Sequence, residues 1–295
     1  MSSTPRILCV GNIMVDVIAQ LKGEIHFGGD TRATISTHGG GAAANVATWL
    51  SHIGSTVHLT ARVGKDAYGS TILAELDSYG VEHKSIVADG ATGTVIILVS
   101  PDGERTMFPD WACNSTIELR DLPTELDFDI ALFSGYPLID PQSRASAKEM
   151  LEQLNAAHIP IIFDPGTVGA LKEVNMAEIH SWLHSMAGLI MNEEEARFLT
   201  KTSNLSDAMD SLVELVPLVV IKQGGEGALG QVRGSAPLHV DALPSQVVDA
   251  TGAGDAFAAG FISAWATTPD LGPALQKGAE VAAIAVATVG ARPPR

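Results

Sequence analysis

Within Asp249-Ala250-Thr251-Gly252-Ala253-Gly254-Asp255, two carboxylates, a hydroxyl and two glycines fall within one short stretch. The apolar pair Val247-Val248 ahead of it reads as a short strand, and Ala256-Phe257-Ala258-Ala259-Gly260 after it reads as a helix. With no Cβ at Gly252 and Gly254, backbone N–H groups can converge on an anion, and the helix N-terminus adds partial positive charge. Asp255, in the first turn, sets a carboxylate beside that anion. An alcohol that gives its proton to this carboxylate can attack a phosphate held by the N–H groups, which is the arrangement phosphoryl transfer needs. The same residues also read as an ordinary Gly-rich turn whose first-turn Asp is favoured by the helix dipole. The stretch alone does not choose between them.

Further polar groups sit at comparable places. Asp16 follows the apolar run Arg6–Gly11, at the strand end where open α/β sheets place ligands. His38-Gly39-Gly40-Gly41 opens a second helix, with Asn45 in its first turns; this suits close backbone approach to a small polar ligand, or tight packing through small residues. His-Gly-Gly-Gly also matches an esterase oxyanion loop, but the chain contains no Gly-x-Ser-x-Gly nucleophile turn. Asn192 and Glu195 stand three apart after an apolar run. They read as a capping box worth about 1 kcal/mol, or as oxygen ligands that orient Mg²⁺ and its waters. Lys222-Gln223-Gly224-Gly225-Glu226-Gly227 suits backbone contact to the phosphates and sugar of a nucleotide. Gly225–Gly230 spells Gly-x-Gly-x-x-Gly, but a hairpin-like segment follows it where a dinucleotide site needs a helix. No Gly-x-x-x-x-Gly-Lys-[Ser/Thr] occurs, so this is not a P-loop enzyme.

The elements that must carry these groups alternate. Short apolar runs at 6–11, 57–64, 130–135, 159–164, 188–191 and 218–222 read as buried strands. Helical segments between them, at 65–79 and 141–158 among others, mark a mostly parallel sheet with helices on both faces. Two segments break the rhythm. Residues 17–36 lack a helical period, and Thr92–Ser100 with Arg105–Phe108 flank the turn Pro101-Asp102-Gly103-Glu104 as a hairpin. Together these segments, about 17–36 and 91–112, predict a small β lid across one end of the sheet, which would exclude water from a transferring phosphoryl group. Leu271–Ala291 should form a helix packed on the Asp255 helix. With no linker, repeat or low-complexity run, residues 1–295 are expected to form a single domain.

A net charge of −16 argues against a nucleic-acid partner, which needs a basic face. Any nucleotide must then be held by local N–H groups and a few cations. Cys9 and Cys113 form neither a metal spacing nor a disulfide framework, and Gly11, Asn12 and Asp16 interrupt the first apolar run. The most apolar late segment, Val281–Val289, is too short to span a bilayer. A cytoplasmic enzyme without membrane contact is the expectation.

The order of these motifs resembles the ribokinase-like (PfkB-type) carbohydrate kinases. Asp249–Asp255 is similar to the family's Asp-Thr-x-Gly-Ala-Gly-Asp, with Ala and Thr in place of Thr and x. Gly40-Gly41-Ala42-Ala43-Ala44-Asn45 matches Gly-Gly-x-x-x-Asn, and Val63–Gly69 matches Val-Gly-x-Asp-x-x-Gly. Asn192/Glu195 and Lys222–Gly227 complete a match over nearly the whole chain. The resemblance implies a three-layer α/β/α core with a β lid, and an ATP-dependent sugar kinase acting on a hydroxymethyl group. By it, Asp255 is the general base, and Gly252, Ala253 and Gly254 form the anion hole. Asp16, Gly40, Gly41 and Asn45 hold the sugar, and Trp111 helps close its pocket. Asn192 and Glu195 serve Mg²⁺ and phosphate, while Lys222, Gly224, Gly225 and Gly227 line the ATP site. Asp249 and Thr251 resemble part of a K⁺ loop completed by backbone near Ala285, Thr288 and Gly290, although Pro294 stands where some members have Ser. It further implies a homodimer through the lid. Met14, Gly135 and Asp164-Pro165-Gly166-Thr167-Val168 depart from the ribose kinases, so the acceptor stays open between sugar and nucleoside. A catalytically silent sugar-binding protein on the same fold is the remaining alternative.

Overall fold

A computed structural model describes residues 4–83 and 87–294. In chain order the strands are β1 (Arg6–Val10), β2 (Met14–Leu21), β3 (Ala33–Gly40), β4 (Thr56–Thr60), β5 (Val63–Gly64), β6 (Val87–Ala88), β7 (Thr94–Val99), β8 (Arg105–Asp110), β9 (Ile130–Ser134), β10 (Ile161–Asp164), β11 (Gly188–Asn192), β12 (Leu218–Lys222), β13 (Ala228–Val232) and β14 (Leu238–Val240). Eight of them form the central sheet in the order β14-β13-β12-β11-β10-β9-β1-β4. From β12 to β4 every pairing is parallel, while β13 and β14 continue as an antiparallel edge.

Alternation along the strands explains why both faces are covered. In β1, Ile7 and Cys9 join one apolar core while Leu8 and Val10 join the other; in β12, Leu218 and Val220 oppose Val219 and Ile221. Helices α1 (Ala42–His52) and α2 (Ala67–Tyr79) cover the first face. The second face carries α3 (Tyr136–Ile139), α4 (Arg144–Ala156), α5 (Val168–Leu171), α6 (Met176–Leu183), α7 (Glu193–Thr200) and α8 (Leu205–Leu215). The last two helices, α9 (Ala253–Thr267) and α10 (Leu271–Val286), return to the first face and pack on each other. No helix among the described residues is long and apolar enough to cross a membrane.

The lid is a separate four-stranded sheet, β3-β2-β7-β8. Its strands reach further than the sequence pattern suggests: β2 starts at Met14 and β3 runs to Gly40, so the lid joins the core directly at β1 and α1. Pairing of Asp16 with His38 and of Met14 with Gly40 extends the ladder to that junction. The expected strand at 57–64 divides into β4 and β5. The strand expected at Val247-Val248 is not present. These valines are 69% and 54% exposed, and Val248 N–H donates to Val286 O at the end of α10 rather than to a sheet edge. Two adjacent valines favour a strand only where a neighbouring edge can pair with them.

Candidate active site

Parallel strands that end together gather residues far apart in sequence. Asp164 and Ser134 are register partners at the ends of β10 and β9, as are Asn192 and Lys222 at the ends of β11 and β12. Lys222 Nζ lies 3.2 Å from Asp164 Oδ2. Burial alone would lower the lysine's pKa, but the carboxylates of Asp164, Glu195 and Asp255 outweigh it and hold the ammonium charged.

The turn before α9, expected to bind an anion, comes to this edge beside Lys222, although Gly252, Ala253 and Gly254 are not among the lining residues of the cavity described below. Gly252 caps the helix at φ 74°. A Cβ there would stand 2.6 Å from Ala291 Cα, so both the left-handed backbone and the contact require glycine. At Gly254 a Cβ would come within 3.3 Å of Lys222 Nζ, which puts the ammonium beside the turn. The first N–H groups of α9 have no partner within the helix and point to its N-terminal end. Asp255, in the first turn, accepts a 2.8 Å hydrogen bond from Asn45 Nδ2. Burial pushes its pKa up to about 7; Asp164 and Asp16 add to the rise, while Asn45 and Lys222 oppose it. It can therefore exchange a proton near neutrality, as a general base must.

Opposite α9, α1 begins at Gly41, with φ 91°. A Cβ at Gly41 would lie 2.6 Å from Asn12 O, and one at Gly40 would strike the Asp16 carboxylate. Asp16 itself is pushed up to about 6 by burial, against the pull of Arg292 and His38. A cavity of about 660 Å³ runs from Asp255, Lys222, Asn192, Glu195 and Asp164 to Trp111, Tyr136, Asn12, Met14 and Gly41. Asp16, Gly40 and Asn45 are not among its lining residues; Asn45 acts on the cavity through Asp255. Trp111 does line it, with its ring centroid 4.8 Å from that of Tyr136. Asn12 Oδ1, buried in this wall, finds no hydrogen-bond donor among the described residues, so an acceptor hydroxyl could donate to it.

At α7 the capping box is complete. Asn192 Oδ1 accepts from Glu195 N at 2.9 Å, while Glu195 Oε2 accepts from Asn192 N and Oε1 from Asn192 Nδ2, both at 2.8 Å. Glu195 is only 2% exposed, and burial together with Asp164 raises its pKa against the pull of Lys222. A carboxylate held this way gains from a nearby cation. The described residues contain no cluster of three acidic or His/Cys ligands. Asn192 and Glu195 together offer one amide and one carboxylate, a set that would fit a hard divalent ion taking its other ligands from water and phosphate.

Beyond the lysine, Gly224–Glu226 forms one turn of 3₁₀ helix, with Gly224 at φ 58° and Gly227 at φ 96°. Gly224 and Gly227 line a slot of about 80 Å³ walled by Leu243, Phe257, Ala279 and Val286; Gly225 is not among its lining residues. Asp249 closes the other side of the anion turn. Its Oδ1 accepts from Thr251 N and Oγ1, and its Oδ2 accepts from Gly290 N at 3.0 Å. From the lid, Arg105 Nη2 donates to Asp249 Oδ1 at 2.9 Å and Nη1 donates to Thr251 Oγ1. Burial would raise the Asp249 pKa, but these donors hold it below the usual carboxylate range.

Sequence reasoning thus brought Asp255, Asn45, Asn192, Glu195, Lys222 and Trp111 to one place. It missed Arg105, Tyr136, the pairing role of Asp164, and the apolar wall at Leu243 and Phe257. Only Asp164, at the end of an apolar run, carried a signal that could have been read.

The chain matches the family described as pfkB family carbohydrate kinase over residues 4–295. It is 28% identical over 248 residues to an uncharacterized sugar kinase of Archaeoglobus fulgidus, across 82% of this chain and 96% of that protein. It is 31% identical over 242 residues to a nucleoside kinase of Methanothermobacter thermautotrophicus, across 79% and 73%. The solved structure of adenosine kinase from Sinorhizobium meliloti superposes with a TM-score of 0.89 at 22% identity, covering 99% of this chain and 97% of that one. At that identity the likeness speaks for the fold.

Proposed function

The chain belongs to the pfkB family of carbohydrate kinases, phosphotransferases with an alcohol group as acceptor, and on that premise we propose how it works and on what. Asp255 takes the proton of an acceptor hydroxymethyl group as the hydroxyl attacks the γ-phosphate of ATP. The N–H groups of Gly252, Ala253 and Gly254 hold the negative charge that develops on the transferring phosphoryl group, and Lys222 adds its charge beside them. Asn192 and Glu195 would hold Mg²⁺ with the ATP phosphates; the ion when bound supplies charge neutralisation there. Gly224 and Gly227, with the Leu243/Phe257 slot, take the nucleotide's base and sugar. The observation that carries this reading is the position of Asp255, at once in the first turn of α9 behind the anion turn and hydrogen-bonded to Asn45 from the acceptor side.

The acceptor is neutral. Of the residues lining the cavity, Lys222 is the one cation, and Asp164 already holds it. Asp140 and Glu173 add carboxylates toward the far end. A sugar phosphate or sugar acid would set an unpaired anion among them, at a high desolvation cost. A free sugar meets hydrogen-bonding groups at Asn12 and Asp255. A nucleoside is the second reading, because Met14, Val95, Met107, Pro109 and the Trp111–Tyr136 pair make an apolar, partly aromatic wall suited to a base. An ADP-release assay with pentoses, hexoses, nucleosides and sugar phosphates tests both. Turnover of a neutral acceptor supports the reading, and turnover confined to anionic acceptors overturns it.

The lid supports a homodimer. Register places Val95, Met107 and Pro109 on its cavity face and Ile35, Ile96 and Phe108 on the other. The second group is 68%, 48% and 53% exposed, an apolar face suited to a second copy. The free, buried Cys9 and Cys113 suit a reducing cytoplasm.

A further inference from the structure

Arg105 opens β8, at the tip of the lid hairpin, and shares the cavity-facing side of that strand with Met107 and Pro109. From there its guanidinium spans to the anion turn of the core, donating to Asp249 Oδ1 at 2.9 Å and to Thr251 Oγ1. The sequence interval is 144 residues for the first bond. The core also holds the Asp249 carboxylate. Thr251 N and Oγ1 donate to Oδ1 at 2.9 and 2.6 Å, and Gly290 N donates to Oδ2 at 3.0 Å. With the arginine, Oδ1 takes three donors, more than the two lone pairs of one carboxylate oxygen would ordinarily hold, while Oδ2 takes one. The Ala285 carbonyl, expected to help complete a cation shell, accepts from Thr288 N at 2.9 Å. A metal ion on the Oδ1 side of Asp249 would meet a crowd of donors and the fixed positive charge of the guanidinium 2.9 Å away. The donor set therefore does not fit K⁺ while the arginine is in place.

We propose that Arg105 is the resident cation of this turn: carried in by the lid, it takes at Asp249 the place of a monovalent metal ion, so that lid docking itself completes the anion-binding turn and no K⁺ is needed. Arg105 acts through Asp249 and Thr251 as a positioning residue. The side chain suits the role because its planar fork can engage the carboxylate and the hydroxyl at once. Arg105 is 37% and Asp249 15% exposed at the side chain, so the pair sits at the rim, where the lid can bring the arginine in and withdraw it.

This proposal rests on the kinase reading above, so its test has two readouts. ATP turnover and thermal stability of the full chain are measured in choline chloride, NaCl and KCl at equal ionic strength, for the wild type, Arg105→Ala and Arg105→Lys. The wild type should change by no more than about twofold in rate among the salts. Arg105→Ala should lose about tenfold or more in choline chloride and regain rate in KCl. Its midpoint, measured without substrate, should rise by about 3 °C in KCl relative to choline, and Arg105→Lys, which keeps the charge but not the fork, should fall between the wild type and Arg105→Ala in both readouts. A wild type that requires K⁺, or an Arg105→Ala protein as active as the wild type in choline, overturns the proposal. Should no protein turn over ATP, the kinase reading fails, and the salt dependence of the midpoints alone still decides for or against Arg105.

Discussion

Asn45 Nδ2 donates a 2.8 Å hydrogen bond to Asp255 Oδ2, joining residues 210 apart in the chain and the first turns of two helices. Each helix begins at a glycine of positive φ, Gly41 in one and Gly252 in the other. The two glycine turns are joined through this bond, which ends on the one carboxylate in the first turn of α9.

Burial raises the titration range of this carboxylate, and the bond draws it back down. Asp255, with its pKa raised to about 7, is protonated at acid pH, so kcat/KM should rise with pH through that region and then level off. The Asn45 amide stabilises the charged form and lowers the pKa. Replacing Asn45 with Ala removes the donor, so the acid limb should move to higher pH. A pH–rate profile of the variant checks it; an unmoved limb would assign the titration to another group.

Gly252 is the second place where one atom matters. The variant Gly252→Ala has to adopt φ 74° and fit a Cβ 2.6 Å from Ala291 Cα. The turn should open, disperse its N–H groups and lower kcat by about 10²-fold or more. Stability should fall by about 1–3 kcal/mol, readable as a shift in the denaturant midpoint.

Asp164 holds Lys222 at the edge of the sheet, with side chains 12% and 16% exposed. The variant Asp164→Ala leaves a shielded ammonium without that partner and should cost on the order of 3 kcal/mol. Asp164 also raises the Asp255 pKa, so the same variant should move the acid limb to lower pH, opposite to Asn45→Ala. Limbs that shift in the same direction would contradict this electrostatic account.

The parts of the site that were legible in the sequence are those where local chemistry and local backbone coincide. Asp255 follows its glycines directly, and the Asn192/Glu195 box is closed within one turn. The parallel strands were legible because residues buried on both faces leave uninterrupted apolar runs. Arg105 was not legible: its partners lie across the lid and the core, and nothing near 105 in the chain signals them. Tyr136 was hidden in the same way, since its tilted ring contact with Trp111 joins the segment after β8 to the end of β9. Val247-Val248 misled for the converse reason, because two apolar residues with strand propensity were left without an edge to pair with. The lid's true extent to Met14 and Gly40 was masked by the glycines ahead of α1, which read as the opening of a helix although Gly39 and Gly40 pair in the sheet.

The central claim is that one carboxylate takes the proton of the acceptor. The substitution Asp255→Asn keeps the shape and an acceptor oxygen for Asn45 while removing the base. Its pKa in the folded chain lies above the ordinary carboxylate value, so between roughly pH 4 and 7 the native state loses stability as the group is made to ionise. The amide escapes that loss, and the variant should melt no lower than the wild type at pH 8. The deciding measurement is turnover of this folded variant with the best neutral acceptor, alongside calorimetric titration with MgATP. Loss of about 10²-fold or more in kcat with nucleotide affinity retained is the expected result; a variant that phosphorylates the acceptor at the wild-type rate would contradict the account.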